Sequence, residues 1–128
     1  MNERYIRQTM IPEIGEAGQE KLKNAKVLIV GIGGLGSPIS LYLTAAGVGQ
    51  IGLIDDDIVS KSNLQRQILY TEAEIGQSKV ECACRRLSAL NSSTRFETYP
   101  NRFTPDNANR LVSAYDIIVD GCDNAATR

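Results

Sequence analysis

Histidine is absent from this 128-residue chain. The commonest general base and the commonest metal ligand are therefore missing, and any catalysis must rest on other groups. Three cysteines, an odd number, give no disulfide framework behind a polar N-terminus that lacks the apolar centre of a signal peptide. Cys82 and Cys84 alone cannot complete a tetrahedral zinc site. The longest apolar run, residues 27–30, falls far short of the roughly 18–20 residues that span a bilayer. Neither sign of charge dominates, since 14 Lys and Arg against 15 Asp and Glu leave a net −1. That excludes the clustered basic face of a nucleic-acid binder. These absences predict a cytoplasmic protein with neither membrane nor nucleic acid among its partners.

What is present is an average globular composition, 42% hydrophobic and 23% charged. The length suits one domain that buries roughly two-thirds of its unfolded surface. Residues 26–30 are nearly all apolar, as in buried parallel strands. Glycines within residues 31–36 break that run, and residues 37–46 read as a helix, with Pro38 tolerated in its first turn and Gly47 placed to end it. A second strand is predicted over residues 51–55, then a mostly irregular stretch over 56–76. Val80, Ala83, Cys84, Leu87 and Leu90 fall on one apolar stripe of a helix beginning near Ser78. Cys82 lies off that stripe, with no role. Residues 94–99 predict a weaker strand, 106–114 a helix behind Pro105, and 115–120 a fourth strand.

Strands that alternate with helices need crossover connections. The fold class is therefore α/β, a Rossmann-like, mostly parallel sheet flanked by helices. Residues 1–25 are expected to form a helical arm and residues 26–128 the core. The C-terminal end reads as truncated, because residues 121–128 look like a loop entering a helix that has no body.

Gly31, Gly33 and Gly36 make a G-x-G-x-x-G between a strand and a helix, with Gly34 inside it. The first glycine permits a tight turn, the middle ones let backbone N–H groups approach a phosphate, and the last lets the helix pack close to the strand. The helix N-terminus adds a fixed positive partial charge. Asp55 ends the second predicted strand, where a carboxylate can accept hydrogen bonds from ribose hydroxyls. Together these predict a nucleotide site. ATP brings about four negative charges and calls for cations and usually Mg²⁺. Arg66, with its fork of donors, and Lys79, a point charge at a helix start, are the candidates.

In order along the chain stand residues 31–36, Leu53-Ile54-Asp55-Asp56-Asp57, Ser62-Asn63-Leu64-Gln65-Arg66-Gln67, Gly76-Gln77-Ser78-Lys79 and Asp120-Gly121-Cys122-Asp123-Asn124. This series resembles the ThiF/MoeB/HesA family, bacterial relatives of ubiquitin-activating enzymes. The opening Arg4-Tyr5-Ile6-Arg7-Gln8 is similar to the family's N-terminal signature, so the likeness covers essentially the whole chain. The resemblance implies that Gly34 approaches the phosphates and Asp55 holds the ribose. It implies that Ser62, Asn63, Leu64, Gln65 and Arg66 line the nucleotide pocket, with Asn63, Arg66 and Lys79 on the phosphates. Asp123 would bind Mg²⁺, with Asn124 beside it, and Arg7 would reach the triphosphate of the opposite subunit of a homodimer. Asp57 matches an acidic position of the family whose role stays open.

The implied reaction is adenylation of a ubiquitin-like sulfur-carrier protein. Its C-terminal Gly-Gly carboxylate attacks the α-phosphorus of ATP and pyrophosphate leaves. A carboxylate is already ionised at neutral pH, so no general base is required, in keeping with a chain that has no histidine. The pathway stays open between thiamine, molybdenum cofactor and other sulfur-transfer routes. Two other readings remain. A fragment of an NAD-dependent oxidoreductase would share the glycines and Asp55 but leave Arg66, Lys79 and Asp123 without duties. A non-catalytic partner subunit of an activating enzyme would have no need to retain them. Among the cysteines, Cys84 reads as core and Cys122 as loop filler, while Tyr5 and Ile6 read as staples for the N-terminal segment.

Overall fold

The structure is a computed structural model, and it describes residues 3–5, 8, 10–12, 15–33, 36–61, 64 and 69–121. Four strands, β1 (Lys26–Val30), β2 (Gln50–Ile54), β3 (Arg95–Tyr99) and β4 (Ile117–Asp120), lie parallel in the order β3-β2-β1-β4. Among the described residues, α1 (Gly15–Asn24) leads into β1, and α2 (Gly36–Ala46), α3 (Lys79–Leu90) and α4 (Pro105–Ala114) connect successive strands. Predicted and observed boundaries differ by a residue or two. The fourth strand starts two residues late, because Tyr115 leaves the ladder to bury its ring and Asp116 Oδ2 accepts from the Lys26 N–H at 3.0 Å.

β1 is apolar from Val27 to Val30 because both of its faces are covered. Val27 and Ile29 join Ile51 and Leu53 of β2 under Val80, Ala83 and Leu87 of α3. Leu28 and Val30 join Ile54 on the other face, under Leu111 and Tyr115. Parallel sheets carry such near-continuous apolar runs for this reason. Val30 stands opposite both Ile54 and Asp120 in the register. The chain therefore leaves β1, β2 and β4 at one level, at Gly31, Asp55 and Gly121. Strand order reverses between β1 and β4, and ligands of open α/β sheets bind outside the carboxyl ends at such a switch point.

The apolar stripe predicted for α3 needs one correction. Cys82 is fully buried in the core, Cys84 is only partly buried, and Leu90 is exposed. Residues 72–77 fold back over the flank that carries Cys82, whose Sγ lies 3.8 Å from Gln77 Oε1 and 3.3 Å from Arg85 Nη2. Burial, with the charge of Glu74 next to it, pushes the Cys82 thiol above its ordinary value. It is an unreactive core residue.

The N-terminal segment is tied down as expected for Tyr5. Its ring is buried and its hydroxyl accepts from Asn91 Nδ2 at 2.7 Å, while Asn91 also donates to the Thr44 carbonyl at 3.0 Å. Ile6 lies outside the described residues. Among those residues no helix is long and apolar enough to cross a membrane.

Candidate nucleotide site

The turn after β1 depends on close backbone approach. Gly31 has φ +88°, and a Cβ on Gly36 would stand 1.9 Å from the Gly31 carbonyl oxygen. Any side chain at Gly36 would therefore push α2 away from the turn that precedes it. Gly121 reaches the same place from β4. Its N–H donates to Val30 O at 2.8 Å, and a Cβ there would meet Gly31 O and Gly36 Cα, each at 2.9 Å. The glycine turn, the first residues of α2 and the exit of β4 thus converge at the switch point.

Asp55 is brought to this turn from the neighbouring strand. Its Oδ2 accepts the Ile32 N–H and its Oδ1 accepts the Asp57 N–H, both at 2.8 Å. Each carboxylate oxygen has a second lone pair, so a ribose hydroxyl can still donate to Asp55.

The stretch after β2 is strapped to the start of α3. Gly76 N–H donates to Val59 O at 2.8 Å, Val59 N–H to Gln77 O at 2.9 Å and Lys79 N–H to Asp57 O at 3.1 Å. These bonds set Lys79 beside Asp57, and Lys79 Nζ lies 3.6 Å from Asp57 Oδ2. The pair is unequal, for the Lys79 side chain is 4% exposed and that of Asp57 71%. A buried ammonium needs a counter-charge, and Asp57 supplies one. This gives the position left open in the sequence a definite structural task.

The ligand atoms of Asp55, Asp56 and Asp57 lie within 4.8 Å of one another. Carboxylate oxygens are the donors that Mg²⁺ prefers. Asp57 already faces an ammonium, however, and both oxygens of Asp55 already accept from the backbone. A nucleotide fits this edge: it has an N-terminal helix turn for phosphate, a carboxylate for ribose and a buried cation.

Of the residues singled out in the sequence, Gly31, Gly33, Gly36, Asp55, Asp57, Leu64 and Lys79 are described. Gly31, Gly36, Asp55, Asp57 and Lys79 are tied together by the contacts above, and Leu64 packs partly buried against the core. Arg7, Gly34, Ser62, Asn63, Gln65, Arg66, Asp123 and Asn124 lie outside the described residues. One residue escaped sequence reasoning. Tyr70 is buried, and its hydroxyl donates to the Ile32 carbonyl at 2.6 Å. The apolar run Ile68-Leu69-Tyr70 in a mostly polar stretch is the available signal.

Residues 5–128 match the ThiF family. The chain belongs to the ThiF family. Over 98% of its length this ThiF domain is 49% identical to the sulfur carrier protein adenylyltransferase of Thermus thermophilus, covering 46% of that protein. It is 50% identical, again over 98% of its length, to the probable adenylyltransferase/sulfurtransferase MoeZ of Mycobacterium tuberculosis, covering 32% of it. The ThiF domain therefore spans less than half the length of these curated relatives. Among solved structures, the E. coli tRNA N6-threonylcarbamoyladenosine dehydratase TcdA in complex with ATP superposes with a TM-score of 0.91 at 30% identity. That match covers 98% of this chain and 51% of the other.

Proposed function

We propose that this domain is the ATP site of an adenylyltransferase that activates the C-terminal glycine carboxylate of a ubiquitin-like sulfur-carrier protein. The observation that carries the reading is the buried Lys79 ammonium, held at the same sheet edge as the glycine turn and Asp55. A dinucleotide leaves that cation to Asp57 alone, whereas a triphosphate calls for it. The choice of acceptor is supported by the relatives at 49% and 50% identity, which are named as adenylyltransferases.

In the reaction, a carboxylate oxygen of the carrier forms a bond to the α-phosphorus of ATP. The bond to the bridging oxygen breaks and its electron pair leaves with pyrophosphate. No proton needs to move. Asp55 holds the ribose, the backbone at Gly31, Gly33 and Gly34 meets the phosphates, and residues 62–66 line the pocket. Lys79, Arg66 and Asn63 bear on the phosphate charge, so catalysis is positioning plus electrostatic stabilisation. Asp123, with Asn124, would hold Mg²⁺, which would supply neutralisation of phosphate charge. Arg7 acts from the second subunit of a homodimer, so the full-length protein should sediment as a dimer; a monomer at working concentration rules that part out.

The test of the main reading is ATP–pyrophosphate exchange by the full-length protein. Exchange should require a carrier ending in Gly-Gly. Exchange without any carrier, or tight binding of NAD with none of ATP, sinks the proposal. ATP binding without exchange points instead to a non-catalytic partner subunit. Asp55→Ala should weaken ATP and AMP about equally, since both carry ribose. Arg66→Ala should weaken ATP about tenfold more than AMP, because its contacts are with the outer phosphates. Calorimetry that shows equal losses for Arg66→Ala refutes that division.

A further inference from the structure

Tyr70 has no part in the reaction above, yet it is 5% exposed and its hydroxyl is committed to a single acceptor, the Ile32 carbonyl at 2.6 Å. We propose that Tyr70 is a positioning residue, holding the Ile32–Gly33 peptide of the glycine turn in the orientation that binds ATP. The proposal rests on the ATP reading and adds to it a residue that touches no substrate.

The argument starts from the turn itself. Ile32 stands between Gly31 and Gly33, and glycines leave the adjoining dihedrals free to rotate. The core anchors the Ile32 side chain, but the glycine dihedrals on either side are unrestrained, so hydrogen bonds must orient the two peptides that flank Ile32. The Ile32 N–H goes to Asp55 Oδ2 at 2.8 Å and the Ile32 C=O takes the Tyr70 hydroxyl. Ser37 Oγ also lies near that oxygen, but at 3.5 Å it is too long to hold the group alone. Both polar groups of one turn residue are thus clamped by side chains of the connection between β2 and α3, Asp55 at its start and Tyr70 further along.

The clamp is permanent in the ordinary pH range. Burial first, and the nearby charge of Asp55 second, push the Tyr70 phenol far above its usual value, so it stays protonated and remains a donor. Ile32 itself is fully buried. Its carbonyl has no water to fall back on when the hydroxyl is removed. The turn then has reason to reorient, and Asp55 loses a fixed neighbour at the ribose end of the site.

The experiment is Tyr70→Phe in the full-length protein, beside Tyr115→Phe as a comparison. Tyr115→Phe also removes one hydroxyl from a part-buried pair, the Tyr99–Tyr115 contact at 2.9 Å, but on the opposite face of the sheet. Tyr70→Phe should raise KM and Kd for Mg-ATP about tenfold, leave kcat within about twofold and leave KM for the carrier unchanged. Exchange of the Ile32 amide should accelerate about tenfold by NMR, with β1 amides unaffected. Tyr115→Phe should lower Tm and move none of these. A Tyr70→Phe protein that melts earlier but keeps wild-type KM for ATP and wild-type Ile32 exchange overturns the proposal, leaving Tyr70 a packing residue. If the wild type itself fails to bind ATP, the proposed function falls, and Ile32 exchange alone decides: an unchanged rate overturns the clamp.

Discussion

Lys79→Met is expected to cut ATP–pyrophosphate exchange by about 10²- to 10³-fold, the size of effect seen when one preorganised charge donor is removed from a transition state. The fold should barely notice. Lys79 is 4% exposed along its side chain, and methionine keeps most of its volume and flexibility in an apolar setting. The partner left behind, Asp57, is 71% exposed and can be solvated. Stability should therefore stay within about 1 kcal/mol of wild type, or rise.

Asp57→Ala should behave in the opposite sense. It strands the Lys79 ammonium in the interior without its ion-pair partner, at a cost of about 1–2 kcal/mol, less than for a fully buried pair because Asp57 is exposed. Urea unfolding of both variants, read beside exchange activity, checks the asymmetry. If Lys79→Met proves the less stable of the two while exchange survives, the buried ammonium is structural.

Gly36→Ala should be a severely damaging small change at the glycine turn. Its Cβ would stand 1.9 Å from Gly31 O and 2.9 Å from Gly31 C, both backbone atoms. Relief requires α2 to shift. That helix is packed through Ser37, Ser40 and Thr44, all fully buried. The expected loss is about 3 kcal/mol, near the upper end for overpacking, and a fall in Tm of about 10 °C. ATP affinity should drop with it, because the helix start and the glycine turn separate. A protein with near-normal Tm and unaltered ATP affinity would show that this close contact is dispensable.

Much of this was legible beforehand because each element carried its own periodicity. The apolar run of β1 demanded cover on both faces, and it has it. The glycines followed by a helix, and Asp55 at the end of the next strand, were readable because backbone geometry demands those residue types at those places. The stretch after β2 was harder. Its backbone pairs with residues 76–79, a contact that no local pattern encodes, and only that strap puts Asp57 against Lys79.

α3 shows the same limit from another side. Its stripe describes a helix resting on one surface, and a 3.6-residue period can mark only one face. In the molecule the helix is covered by the sheet and also by residues 72–77, so Cys82 is buried and Leu90 is not.

By itself, then, the sequence determined the α/β class, the parallel sheet and the glycine turn between β1 and α2. Hydrophobic period and glycine sterics act between near neighbours and are written in the chain. Tertiary structure alone decided the partners of the polar groups. Asp55 meets Ile32, Lys79 meets Asp57 and Tyr70 meets the Ile32 carbonyl because parallel register brings strand ends and their loops to one edge. A buried donor or charge takes whichever partner folding sets within reach, and that reach is a property of the fold.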